Sequence, residues 1–200
     1  MAATCHAYKG VLKVRRLIVG ISGASGAIYG IRLIELLHAQ ESIETHLVMS
    51  ETGKMNVGIE TKHTIKEVEA LADVVHRSNN LAASISSGSF RTDGMVVAPC
   101  SMKTLSGIVN SSSSNLLIRA ADVVLKEQRK LVLMPREAPL HLGHCRLLYE
   151  AAQMGAVIAP PMPAFYNSPA TIDDIINHSV GRVLDLLDLE VDIVRRWSGQ

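Results

Sequence analysis

The stretch Leu17-Ile-Val-Gly-Ile-Ser-Gly-Ala-Ser-Gly-Ala-Ile-Tyr-Gly-Ile-Arg32 constrains this chain more than any other. An apolar run breaks into small residues and then resumes with helical spacing, which reads as strand, tight loop and helix start. Gly20, Gly23 and Gly26 let the backbone turn sharply and approach a ligand, and Ser22 and Ser25 add hydroxyls where the first helical N–H groups lack intrahelical partners. Such a helix start attracts phosphate. The spacing is G-x-x-G-x-x-G rather than the dinucleotide G-x-G-x-x-G. The loop alone therefore marks either a phosphate-friendly turn or a close helix–strand packing, and no particular cofactor.

The same grammar recurs downstream. Residues 45–49 form a short apolar strand that delivers Ser50 at its carboxyl end, as a ligand contact or as an N-cap. Residues 94–98 form another strand, followed by Pro99-Cys-Ser-Met-Lys-Thr104 and a helix over 105–109. Ser101 and Thr104 supply hydroxyls and Lys103 a mobile charge, a second anion-accepting helix start; Ser101 also fits an ordinary cap, and Cys100 a small buried hydrophobe. Two such loops at the carboxyl ends of neighbouring parallel strands would frame the crevice where open α/β sheets bind ligands.

Apolar spacing predicts further helices over 27–39, 65–72, 116–127, from about 141 to 154, and 172–187, with strands at 131–134 and 156–158. Residues 51–92 are more polar and less periodic, with turns over 84–89, and read as the adaptable side of the domain; 111–115 is a loop ending in a cap. Arg119 and Lys126 on the 116–127 helix read by default as solvated charges. Arg136 and Glu137, at a strand's carboxyl end, invite a functional reading. His141 and His144 have i, i+3 spacing but no H-E-x-x-H context, which argues against a metal. The Pro-rich run 160–166 stays extended, so Tyr166 reads either as a side chain held in place or as an ordinary packing residue, and Thr171 with Asp174 makes a capping-box-like start for the last helix, with Arg182 at its flank. Trp197, in a charged tail, is suited to meeting another subunit.

Composition narrows the class. Two hundred residues, 48% of them apolar, suffice for a single core, read as one domain over 16–200 behind an extension at 1–15. Twenty basic residues against nineteen acidic ones argue against a nucleic-acid or anionic-membrane binder and for a small-molecule partner. Cys5, Cys100 and Cys145 are odd in number and without C-x-x-C spacing, and neither a membrane-length apolar run nor a secretory leader is evident, so a reducing cytoplasm is expected.

Six ordered blocks then resemble the UbiX-type flavin prenyltransferases: Gly20-Ile-Ser-Gly-Ala-Ser-Gly-Ala-Ile-Tyr-Gly30, Ser84-Ile-Ser-Ser-Gly-Ser-Phe90, Ala98-Pro-Cys-Ser-Met-Lys-Thr-Leu-Ser106, Arg119-Ala-Ala-Asp-Val-Val-Leu-Lys-Glu127, Leu133-Met-Pro-Arg-Glu137 and Pro163-Ala-Phe-Tyr166. The resemblance runs from about Arg16 to Trp197 and is far more specific than one glycine loop. It implies a flavoprotein-like, Rossmann-like three-layer α/β fold with a mostly parallel sheet, assembled as a dodecamer of trimers. It implies reduced FMN as prenyl acceptor, dimethylallyl monophosphate as donor, attachment at flavin N5 and C6, and hand-over of prenylated FMN to a UbiD-type decarboxylase, with no metal.

Carried over residue by residue, the resemblance places Gly23, Ala24, Ser25, Ser50, Ser101, Met102, Lys103, Thr104 and Arg136 at FMN. Lys126, Arg136, Glu137, Tyr166 and Arg182 fall at the prenyl phosphate. Ser25 and Glu137 handle protons as phosphate leaves, Glu60 assists at the flavin, and Arg119 completes the site across a subunit boundary. These types suit the chemistry, because phosphate leaves readily only when its charge is neutralised. Asp173-Asp174 lacks the rest of the D-D-x-x-D pattern that holds magnesium in diphosphate-using prenyltransferases. Rival readings are an NAD(P) oxidoreductase with Glu51 on a ribose, a flavin carrier without chemistry, and a serine hydrolase. The glycine pattern and the lack of Tyr-x-x-x-Lys oppose the first, and Gly23-Ala-Ser25-Gly26-Ala27 does not fit the G-x-S-x-G of the last.

Overall fold

Strands that are apolar on both faces, alternating with one-sided helices, can bury themselves only in a sheet covered on both sides. The computed structural model describes residues 15–191 and 193. It contains β1 (Arg15–Ile21), β2 (Ile43–Met49), β3 (Val74–Arg77), β4 (Gly94–Cys100), β5 (Lys130–Pro135) and β6 (Val157–Ile158). All are parallel, in the order β3-β2-β1-β4-β5-β6. The helices are α1 (Ala27–His38), α2 (Glu51–Glu60), α3 (Ile65–Ala70), α4 (Met102–Val109), α5 (Leu116–Lys126), α6 (Leu142–Gln153) and α7 (Ile172–Leu186), with a 3-10 turn at Ser84–Ser86.

Side-chain alternation divides the core into two layers. Leu17, Val19 and Ile21 of β1 meet Ile31 and Ile34 of α1 and Val180 and Leu184 of α7 on one face. On the other, Ile18, Met95, Val97 and Leu133 pack against Leu105 of α4 and Leu117, Ala121 and Val124 of α5. Gly30 lets α1 lie directly against the Ala98 carbonyl. Arg32 then ties α1 to α7, pairing with Asp173 at 2.9 Å and bonding to Asn177. Thr171 and Asp174 form a full capping box, so both acids of Asp173-Asp174 have structural work.

The chain leaves β1 for β2 and β3 on one side and returns to β4 on the other. The strand order therefore reverses between β1 and β4, and the carboxyl ends there form the crevice where open α/β sheets take ligands.

The stretch 51–92 departs from its sequence reading, for it holds α2 and the edge strand β3 as well as α3. In α2 just Gly53 and Val57 are buried, while Met55 and Ile59 are 63% and 75% exposed, so no apolar stripe announces the helix. β4 runs on through Pro99 to Cys100 with a register shift, since Pro99 has no N–H for the ladder. α4 accordingly starts at Met102, before the expected 105, and α3 stops at Ala70. β2 starts at Ile43, β5 gains Lys130 and Pro135, and the ends of α1, α5, α6 and α7 fall one residue early. Trp197 lies outside the described residues. Among the described residues no helix is long and apolar enough to cross a membrane.

Candidate active site

Ser22 fastens the two central loops together. Fully buried after β1, its Oγ donates to the Pro99 carbonyl at 2.8 Å and accepts from the Ser101 N–H at 2.8 Å, and its own N–H also reaches Pro99 at 3.2 Å. Gly23 packs so closely on α2 that a Cβ there would lie 2.5 Å from the Thr52 Cβ. Beside this junction opens a cleft of about 190 Å³ that brings together five residues singled out in the sequence: Gly23, Ser50, Ser101, Lys103 and Thr104. Thr52, Asn115 and Ile118 complete its wall.

Three helices begin at this cleft, each capped by its own side chain. Ser50 Oγ accepts from Gly53 N at 3.0 Å, Ser101 Oγ from Thr104 N at 3.2 Å, and Asn115 Oδ1 from Ile118 N at 3.0 Å. The cap and ligand-contact readings of Ser50 and Ser101 are thus compatible. Three positive helix ends and the exposed Lys103 give the cleft a positive potential that suits an anion. Met102 and Thr104 are both buried, and Met102 packs in the core, so this segment meets the cleft through Ser101, Lys103 and Thr104 rather than through the Met102 side chain.

The start of α1 behaves differently from its sequence reading. Gly26, in the left-handed region at φ 100°, and Ala27 direct their N–H groups at Glu60 Oε2, at 2.7 and 3.1 Å. A carboxylate of the chain itself thus occupies the helix start expected to attract phosphate, while the positive starts of α2, α4 and α5 face the cleft. Asn56 of α2 donates to the Ala24 carbonyl at 2.9 Å, so α2 braces the loop as well as supplying Glu60. Ser25 is exposed at the tip of this turn.

Arg136 and Glu137 leave β5 exposed to solvent, the Arg136 N–H bonding to the Cys100 carbonyl at 3.1 Å and Glu137 Oε1 accepting from Ala138 N at 3.0 Å. Burial raises the Tyr29 phenol pKa, opposed by the nearby Arg136 charge, which places that guanidinium beside α1. Burial alone pushes the Cys100 thiol up to about 12, so it packs as a hydrophobe.

Tyr166 and Arg182 meet around a residue the sequence reading passed over. The Tyr166 hydroxyl lies 3.3 Å from His178 Nε2, and His178 and Arg182 line a second cavity of about 150 Å³ with Met134, Met162 and Val183. Arg182 also pairs with Asp185 at 2.8 Å.

The expected gathering of Lys126 with Arg182 does not occur within one chain. Lys126 ends α5, on the layer opposite α7, and bonds to Glu127 beside Gly88. Arg119, about 11 Å up the same helix at 1.5 Å per residue, bonds to the Ser86 carbonyl at 3.2 Å and to Asp122 at 2.9 Å. His141 caps α6 through Nδ1, accepting from Gly143 N at 3.0 Å, and its ring lies 3.7 Å from that of His144. Among the described residues no cluster of three or more His, Cys, Asp or Glu side chains is arranged for a metal.

Thr52, Asn115 and His178 escaped the sequence reading as site residues, and Ser22, read as a hydroxyl at the start of α1, instead joins the two loops. Asn115 was visible as a cap and Thr52 follows Ser50 by two, but Ser22 and His178 act through partners 77 and 12 residues away, which no local pattern reveals.

Comparison with known proteins places this geometry. The family model described as Flavoprotein matches residues 6–184. Flavin prenyltransferase UbiX of Escherichia coli K12 is 60% identical over 188 residues, covering 93% of this chain and all of that one, and the Thauera aromatica protein of the same name is 59% identical over 184 residues, covering 92% and 94%. A dodecameric FMN-dependent UbiX-like decarboxylase from Escherichia coli O157:H7 superposes with a TM-score of 0.91 at 53% identity, covering 92% of this chain and 100% of that one. The structure of AnUbiX (PadA1) in complex with FMN and dimethylallyl pyrophosphate gives 0.91 at 49% identity, covering 93% and 98%. The chain belongs to the Flavoprotein family and, within it, to the UbiX-type flavin prenyltransferases.

Proposed function

We propose that this enzyme transfers the dimethylallyl group of dimethylallyl monophosphate to N5 and C6 of reduced FMN, yielding prenylated FMN for a UbiD-type decarboxylase in the cytoplasm. The observation that carries this reading is the cleft at the β1/β4 crossover, where three helix starts and Lys103 converge and Gly23 lets the loop after β1 close onto Thr52 of α2. Its residues fit FMN: Gly23, Ala24, Ser50, Ser101, Met102, Lys103 and Thr104 would hold it, joined by Arg136. The reduced flavin, when bound, supplies the nucleophilic nitrogen and carbon.

The protein's own residues serve the donor. Arg136, Arg182 and Tyr166 hold the phosphate as its ester C–O bond breaks and the electron pair leaves on oxygen; their charge and hydrogen bonds stabilise that departure. Ser25 and Glu137 relay a proton to the leaving phosphate, and Glu60, held at the start of α1, assists proton removal from the flavin. Lys126 and Arg119, on the layer opposite α7, reach a donor site only from a neighbouring copy. A dodecamer of trimers provides that copy. α6 suits such assembly, with Ala151 its one buried residue and Leu142 85% exposed.

The test is to incubate the protein with reduced FMN and either dimethylallyl monophosphate or dimethylallyl pyrophosphate and weigh the flavin released. Flavin heavier by one isoprene unit with the monophosphate supports the reading. Unchanged flavin with both refutes it, and a gain with the pyrophosphate alone replaces the donor.

A further inference from the structure

The segment between β6 and α7 crosses the surface with little of itself buried: Met162, Phe165 and Tyr166 are 72%, 74% and 56% exposed. Local backbone bonds shape it, from Met162 N to the Pro160 carbonyl at 2.8 Å and from Ser168 N to the Phe165 carbonyl at 3.0 Å. Such bonds give the strap a form without fixing it to the domain. Two consecutive side chains do that, and both converge on one imidazole.

His178 is 8% exposed, on a helix whose Val180, Val183 and Leu184 are locked in the core. Its Nε2 lies 3.3 Å from the Tyr166 hydroxyl and its Nδ1 3.2 Å from Asn167 Nδ2, while the Tyr166 and His178 rings meet edge to face at 5.5 Å. The Asn167 amide donates to Nδ1, so the neutral ring carries its proton on Nε2 and presents it to the phenol oxygen. Arg182 follows one helical turn later on the same face, and the two residues line one cavity. Burial first, then the Arg182 charge, hold His178 below the ordinary histidine range, with Asp185 opposing. The imidazole therefore stays a neutral donor beside that guanidinium.

We propose that His178 is a positioning residue for the allylic phosphate: it fastens the Tyr166 phenol to α7 one turn from Arg182, so that hydroxyl and guanidinium address the same phosphate group. This deepens the function proposed above and rests on its assignment of Tyr166 and Arg182 to the donor. A hydrogen bond into the phenol oxygen also polarises its O–H, strengthening the bond that hydroxyl gives to a phosphate oxygen.

His178→Leu removes the donor and His178→Gln keeps an N–H near the position of Nε2; each is made alone and with Tyr166→Phe. His178→Leu is expected to raise KM for dimethylallyl monophosphate about five- to tenfold, the worth of one positioned hydrogen bond, with a smaller change in kcat and full FMN content. His178→Gln recovers most of this loss, and in the Tyr166→Phe background His178→Leu adds less than about twofold, because the two residues act as one unit. Additive effects, or a Gln variant as impaired as Leu, would overturn the proposal. A second readout needs no substrate. With 3-fluorotyrosine incorporated, the 19F signal of residue 166, assigned by its loss in Tyr166→Phe, is expected to move in His178→Leu and hold in His178→Gln. Wild-type enzyme that leaves the monophosphate untouched sinks the proposed function; an unmoved 19F signal in His178→Leu sinks the tether whatever the substrate.

Discussion

The cleft at the β1/β4 crossover and the strap before α7 are built on opposite principles. The cleft is braced from within its own chain: Ser22 bolts its two loops together, α2 braces the glycine turn through Asn56 and Glu60, and its three helix starts are capped. The strap is exposed along much of its length and is fixed to the domain through His178, while Lys126 stands on the far layer. Under the proposed function, a rigid flavin site and a donor site completed by neighbours make sense together. The flat, polar acceptor needs preorganised dipoles that do not rearrange during reaction, whereas a small allylic ester has to be enclosed from several sides to keep water out.

The largest effect expected from this contrast is at Gly23. Gly23→Val forces a side chain into Thr52, whose Cβ stands 2.5 Å from the new Cβ, and overpacking of that kind should lower FMN retention about a hundredfold. The check is flavin absorbance that co-elutes with protein on gel filtration. A variant that stays yellow would move the flavin out of this cleft and dissolve the comparison.

Arg182→Ala probes the other region. Losing one charge-assisted hydrogen bond to phosphate should cost roughly ten- to a hundredfold in kcat/KM for dimethylallyl monophosphate, with FMN content unchanged. Equal loss of flavin and donor use would mean that the two regions are one site, not two.

The same contrast explains what could be read in advance. The cleft's loops announce themselves because a glycine turn and a Ser-x-Lys-Thr helix start follow apolar strands, although the Ser22 bonds that join them span 77 and 79 residues. α2 stayed hidden because Met55 and Ile59 face outward, so no 3.6-residue stripe survives. His178 stayed hidden because it lies inside the apolar stripe of α7, between Ile176 and Val180, where a buried polar group gives no periodic signal. That Lys126 and Arg182 stand apart within one chain stayed hidden for a different reason: helices adjacent in a list of motifs lie on opposite faces of the sheet, and sequence alone does not say which layer each helix takes.

Ser22→Ala sharpens the claim that the cleft is prefabricated. It deletes the acceptor of the Ser101 N–H and one donor to Pro99, both inside the core, and should cost about 1–3 kcal/mol, lowering Tm by several degrees. FMN should raise Tm less in the variant than in the wild type, because the Ser101 loop has lost its anchor. An equal FMN-dependent rise in both would leave Ser22 as a core residue with no bearing on the site.

The smallest effect expected is of pH, and it should separate the regions without any mutation. His178 is held below the usual histidine value of 6.5 by burial and Arg182, and His76 by burial and the His46 ring beside it. Below pH 6.5 the unfolded chain takes up protons that these two rings refuse in the folded state, so their contribution is complete above 6.5 and falls with decreasing pH until each folded pKa is passed. Glu44, lowered by its bonds to His46 and Arg16 against the effect of burial, acts in a lower window: its contribution holds above 4.5 and is lost as pH falls through its folded value. Protonating His178 also places a proton on Nδ1 facing the Asn167 amide hydrogens and a second cation beside Arg182. The strap therefore loosens first. Hydrogen-exchange protection over residues 160–170, each rate divided by the intrinsic rate at the same pH, should fall as pH drops below 6.5 while FMN retention holds, and in His178→Gln that fall should disappear. Parallel loss of flavin and strap protection would show that the cleft depends on the strap after all.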